Sequence, residues 1–186
     1  MTTFKKPEGW DTTEAVASGA FEELEAGGYI LKIESAEEYT SKAGNQMIIL
    51  NFDIAQGKYK GYFARATARI MKSNPNVKWQ GRYFQGTTKE SLPFFKGLMT
   101  AIEESNPGYK WDWNLKSLEN KLFGGAIGLT EWESNGKSGF NPEVRYATSV
   151  DTIKKGIKRP EDKLLSRGNP LGDADFTQIT DDEIPF

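Results

Sequence analysis

Lys58-Tyr59-Lys60-Gly61-Tyr62-Phe63-Ala64-Arg65-Ala66-Thr67-Ala68-Arg69-Ile70 is the stretch whose conformation sets the rest of the fold. Past Gly61, the residues Tyr62, Ala64, Ala66, Ala68 and Ile70 share one parity, and Phe63, Arg65, Thr67 and Arg69 share the other. Alternation of this kind has the period of a β-strand, so the spacing predicts a long third strand over residues 58–70. Gly61 then supplies the interior bend at which a sheet curls toward closure. The small alanines suit a tight barrel interior, which leaves Phe63, Arg65 and Arg69 on the exposed face.

Two strands are expected upstream. Gly27-Gly28 opens Tyr29 to Glu34, where Tyr29, Leu31 and Ile33 alternate with Ile30, Lys32 and Glu34. After a turn at Ser41 to Asn45, Met47 to Ile54 places Ile48, Leu50, Phe52 and Ile54 inward and Met47, Ile49, Asn51 and Asp53 on the other face. Downstream, Lys72 to Lys89 reads as a loop that carries Trp79, Tyr83 and Phe84. Ser91 caps a helix with Pro93 in its first turn, and Leu92, Phe95, Leu98, Met99 and Ile102 recur at helical spacing until Asn106-Pro107-Gly108. A Gly-rich fourth strand follows from Leu122 to Glu133, then a hairpin loop around Asn135-Gly136, then a fifth strand from Glu143 to Val150. Ile153 to Ile157 adds a helical turn, and Asp11 opens a short helix across Thr12 to Ala20. Three strands, a helix and a closing hairpin are the order of a mainly β, five-stranded OB-fold barrel, with a generic α+β sheet as its competitor. The chain therefore divides into an N-terminal arm (1–27), the barrel (28–160) and a flexible acidic C-terminal tail (161–186).

Composition narrows the chemistry. The 186 residues include neither cysteine nor histidine, which removes thiolate nucleophiles, Cys-type metal sites and the usual general base. The reading is non-enzymatic, with no cofactor and no metal. No apolar run approaches a membrane span and the first residues lack a signal-peptide core, so a cytoplasmic protein without membrane contact is expected. The net charge of -2 conceals a segregation. The arm carries two Lys against six acids and the tail two basic residues against seven acids, whereas residues 28–160 carry 20 basic and 13 acidic residues. A basic body beside acidic ends suits a polyanionic ligand.

Between Asp53 and Glu90 there is no acidic residue, while Lys58, Lys60, Arg65, Arg69, Lys72, Lys78 and Arg82 lie there among Tyr59, Tyr62, Phe63, Trp79, Tyr83 and Phe84. Cations for phosphates and flat rings for unpaired bases are what sequence-tolerant binding of a single strand requires. Arg65 and Arg69 are the expected phosphate contacts, with Phe63 the ring between them and Lys58. Tyr62 shares the parity of the alanines and reads as core. Trp79, Tyr83 and Phe84 read equally as base-stacking rings or as core. Lys137 and Phe140, on the last hairpin, are expected on a second wall.

Two segments resemble catalytic motifs in part. Gly136-Lys137-Ser138 resembles the end of a phosphate-binding loop, but Glu131 stands where that motif needs glycine. Asp112 followed by Glu119-Asn120-Lys121 has the look of a magnesium-dependent phage nuclease motif, at short spacing and easily met by chance.

The chain ends Asp181-Asp182-Glu183-Ile184-Pro185-Phe186. This resembles the carboxy-terminal tip of bacterial single-stranded-DNA-binding proteins, Asp-Asp-Asp-Ile-Pro-Phe, departing only at Glu183. Gly27-Gly28-Tyr29, the Gly-rich fourth strand, Asn141-Pro142-Glu143-Val144-Arg145-Tyr146 and the acidic end look like small bacteriophage proteins of that kind. The resemblance implies an OB-fold that coats displaced single-stranded DNA in phage replication or recombination, in the cytoplasm of a bacterial host. It implies that Asp181, Asp182, Glu183, Ile184, Pro185 and Phe186 dock replication or recombination proteins. A homo-oligomer is left open, and a Mg-dependent nuclease or a strand-annealing recombination protein stands as the alternative.

Overall fold

A computed structural model describes residues 6, 8, 9, 11 and 22–166. The helix expected across Thr12 to Ala20 and the terminal motif Asp181 to Phe186 lie outside the described residues. The chain forms β1 (Gly27–Thr40), β2 (Gln46–Ile54), α1 (Tyr62–Met71), β3 (Arg82–Gly86), α2 (Leu92–Ser105), a 3-10 turn (Leu115–Leu118), β4 (Leu122–Ser134), β5 (Lys137–Thr148) and α3 (Val150–Lys155). The protein is mainly β: five antiparallel strands make one sheet in the order β3-β2-β1-β4-β5. Among the described residues the outer strands β3 and β5 do not pair, and the sheet stays open between them. None of the described helices is long and apolar enough to cross a membrane.

The stretch after Gly61 is a helix and not the expected third strand. Alanine has the highest helix propensity of any residue, and Phe63, Thr67 and Ile70 also recur at helical spacing. Gly61 adopts the left-handed conformation, φ 72°, as the residue before the first turn. The decisive contact comes from β2. Asp53, only 5% exposed, accepts hydrogen bonds from the backbone N–H groups of Phe63 and Ala64, both at 3.0 Å. A carboxylate there satisfies amides that the helix leaves unpaired and meets the positive end of its dipole. Phe63 and Thr67 then face the interior, with the Phe63 ring 5.1 Å from that of Phe52.

The third strand lies instead in the segment expected as a loop. β3 pairs with β2 from Met47↔Gly86 to Asn51↔Arg82. It follows Gly81, where an added Cβ would sit 2.2 Å from the Phe52 carbonyl oxygen, so only glycine lets the chain approach β2 so closely. The first strand is longer than expected. A register shift between Ile33 and Ser35 lets β1 continue through Glu37 and Tyr39 to Thr40, paired with β2 throughout. The fifth strand also begins earlier, at Lys137, because Asn135 (φ 50°) and Gly136 (φ 72°) make a two-residue turn with both central angles positive.

The core lies between the curved sheet and α2. Ile48, Leu50, Phe52 and Ile54 are buried from β2 as expected, joined by Leu31 and Ile33 from β1 and by Phe123 and Ile127 from β4. Helix α2 adds Phe95, Leu98, Met99 and Ile102 from the stripe read in the sequence, whereas Leu92, at the first position of the helix, is 51% exposed. Ile49 and Asp53, expected on the outer face of β2, are buried too, Asp53 because it caps α1. At the two ends the chain stays attached to this body. Leu24 is buried and the Glu25 carbonyl accepts the Tyr29 hydroxyl at 2.6 Å, so residues 22–26 pack against it. Past residue 160, Lys163 bridges in parallel to Thr130 of β4, carrying the body a few residues beyond the expected tail boundary.

Candidate nucleic-acid interface

Direct partners across strands share a face of the sheet. The register therefore sets Ser35, Asn51 and Arg82 in one row of the outer face, Glu37, Ile49 and Phe84 in the next, and Tyr39, Met47 and Gly86 in a third. Phe84 is 43% exposed and Tyr39 38% exposed, and their rings meet edge to face at 6.0 Å. The Arg82 guanidinium lies over the Phe84 ring, 4.7 Å from its centre. Arg82 and Tyr39 thus both rest on Phe84, and much of the remaining surface of that ring is in solvent. Asn51 donates to Ser35 Oγ at 2.9 Å, while its carbonyl oxygen is buried without a partner. Tyr39 was not legible as a site residue. The polar run from Glu34 to Thr40 carries little strand signal of its own and becomes a strand by pairing with β2.

Other expected contacts fall elsewhere. Phe63 is 2% exposed inside the core and has no free face for a base. Trp79 is pinned inward, its Nε1 donating to the Phe52 carbonyl at 2.7 Å, and it packs against the core. Tyr83 lies in register with Leu50 on the inner face, and burial pushes its phenol above the ordinary value. Arg65 projects from α1 and pairs with Glu22 at 2.6 Å, so the residue expected as a leading phosphate contact is engaged by the acidic arm. Arg69 occupies the last turn of the same helix, and Lys72 caps its end. Lys60 is exposed in the turn before α1, and Lys78 is exposed ahead of β3.

Lys58 belongs to a small network with the arm. Its ammonium donates to the Tyr59 hydroxyl at 3.0 Å and to Glu25 at 3.4 Å, and the Tyr59 hydroxyl donates to Glu25 at 2.8 Å. The hydrogen bond from Tyr59 and then that from Lys58 hold the Glu25 carboxyl below its ordinary range. The hydrogen bond with Tyr59 and that to Glu25 raise Lys58. Nearby Tyr29 is pushed up to about 12, chiefly by burial.

Lys137 and Phe140 stand near the tip of the β4–β5 hairpin, where Phe140 opposes Glu131 and is half exposed. Asp112 and Lys121, of the nuclease-like motif, serve local structure. The Asp112 carboxylate accepts from Ser117 Oγ at 2.7 Å and from the Asn114 N–H at 3.1 Å, and the Lys121 ammonium lies 4.7 Å from the centre of the Tyr109 ring. Among the described residues no three acidic side chains gather as metal ligands. The structure thus brings Arg82 and Phe84 from the expected set together with Tyr39, while Arg65 on α1 is engaged by Glu22.

Residues 10–86, which contain β1, β2, α1 and β3, match a family model described as a protein of unknown function (DUF669). No curated protein matches the chain. The similarity covers three of the five strands, those that carry Tyr39, Arg82 and Phe84.

Proposed function

We propose that this chain binds single-stranded DNA with little sequence preference, on the outer face of β1, β2 and β3. The observation that carries the reading is the exposed Phe84 and Tyr39 pair with Arg82 stacked on Phe84. Every base has a flat face, so such rings contribute roughly 1–3 kcal/mol per stacked base whatever the sequence. The strand β3 also belongs to a stretch, 54–89, without an acidic side chain, which favours a phosphate backbone beside it. Glu37 lies in the Phe84 row, and we place the phosphate track on the Arg82 side of the rings.

The strand order supports the finer reading of an OB-type barrel whose last seam, between β3 and β5, is open. We assign the terminal residues Asp181 to Phe186, on their sequence, to docking a replication or recombination protein, with the chain acting in the cytoplasm of a phage-infected bacterium without catalysis.

Titration of fluorescent oligo-dT, oligo-U and duplex DNA at two salt concentrations tests the reading. Tight, salt-sensitive binding of oligo-dT is expected, weakened about tenfold or more by Arg82→Ala with Phe84→Ala. Removing residues 181–186 should leave that binding intact or tighter. Preference for duplex or for RNA, or indifference to salt, overturns the assignment.

A further inference from the structure

The open seam of the sheet is a groove of about 800 Å³, walled by β3 and by β5 from Val144 to Thr148 and floored by α2. Three aromatic rings from three different elements stand around it with much of their surface in solvent. They are Phe84 from β3, Phe94 from α2 (60% exposed) and Tyr146 from β5 (46% exposed). Phe63 and Phe123, by contrast, are closed inside the core. A set of exposed rings converging on one concavity marks a binding surface. The groove also has polar means of holding a ligand. The strands on either side of it, β3 and β5, are unpaired to any further strand among the described residues, which leaves backbone donors and acceptors along both rims.

We propose that this groove is a second nucleobase-binding channel, continuous with the platform on the outer face of the sheet. The inference rests on the single-stranded DNA reading above and extends it to residues outside that face. Continuity is the argument for the occupant. Phe84 belongs both to the outer-face platform and to the groove wall, so a strand stacked on it passes over the β3 edge into the seam without leaving the ring. Charge agrees with this choice. Arg82 sits on Phe84 at the near lip, Lys96 and Arg145 line the groove, and Glu104 is the one acidic side chain in its lining. Arg145 is itself paired with Glu143, which leaves Arg82 at the β3 lip and Lys96 on α2 as the cations placed to meet phosphates. Bases would lie between Phe94 and Tyr146, with the sugar-phosphate chain outward.

Photocrosslinking of the full chain to oligo-dT carrying 5-iodouracil at successive positions, followed by peptide mapping, tests the path directly and needs no variant. Crosslinks to Phe94 and Tyr146 as well as to Phe84 and Tyr39 are expected. A Phe94→Ala, Tyr146→Ala variant should bind long oligo-dT about tenfold or more weakly than wild type and occlude fewer nucleotides, yet bind the shortest oligomers equally well. Crosslinks confined to β1, β2 and β3, with unchanged affinity for long oligomers in that variant, overturn the channel and leave the platform standing. A groove that takes up an extended peptide with no effect on oligonucleotide binding overturns it as well. Failure of the wild type to bind any single strand removes the underlying reading instead.

Discussion

Replacing Asp53 tests whether the segment after Gly61 is held as a helix by a single carboxylate. Asp53 Oδ1 accepts from the Ile54 N–H at 2.8 Å and the Phe63 N–H at 3.0 Å, and Oδ2 accepts from the Ala64 N–H at 3.0 Å. Hydrogen bonds to a charged group contribute about 1.5–3 kcal/mol each, and loss of a helix cap costs about 1–2 kcal/mol. The site is nearly closed to solvent, so water cannot replace the acceptor for both helix-end amides. Asp53→Ala should therefore lower the unfolding free energy by about 3 kcal/mol, a large part of the roughly 5–15 kcal/mol that holds an ordinary domain. Asp53→Asn keeps one acceptor oxygen and turns an NH2 group toward the third amide, so about half that loss is expected. Urea unfolding followed by far-UV circular dichroism, with both variants analysed at a common slope, measures the difference. If both variants unfold within about 0.5 kcal/mol of wild type, the cap does not hold α1 and the account of why this stretch is helical is wrong.

Two further outcomes follow from the same geometry. Phe63→Ala removes a ring packed on Phe52 in the core and should cost about 3–5 kcal/mol of stability in the same urea assay, with the folded fraction still binding oligo-dT as wild type does; a loss of affinity without a loss of stability would return Phe63 to the interface. Glu25 is held below its ordinary 4.5 in the folded state by Tyr59 and Lys58, so its contribution to stability is fully present above that value and is lost as pH falls through the lowered one. The unfolding midpoint of wild type should thus drop more steeply between about pH 5 and pH 3 than that of Glu25→Gln, and parallel curves for the two would refute the coupling.

Most of the sheet and the main helix could be read in advance because their signals are local. β2 alternates strictly, the α2 stripe repeats at helical spacing between Ser91 and Asn106, and Asn135-Gly136 announces a hairpin. The stretch from Tyr62 to Ile70 is different, since its Ala and Arg alternation fits a strand while its alanines and its Phe63, Thr67 and Ile70 spacing fit a helix. Two patterns of similar strength leave the choice to a residue at a distance, and Asp53 on β2 makes it. β3 has the converse history, because its five residues carry little apolar alternation and become a strand by pairing with β2 past Gly81.

The candidate site divides along the same line. Amino-acid order alone determined that cations and rings crowd residues 58–84 with no acid among them. Only the tertiary structure decided which of those rings face outward. Phe63, Trp79 and Tyr83 turn into the core, Phe84 turns out, and Tyr39 arrives beside it from β1. A ring's exposure depends on what packs over it, and that is set by strand register and by the path of α1, neither of which is written in the residues next to the ring.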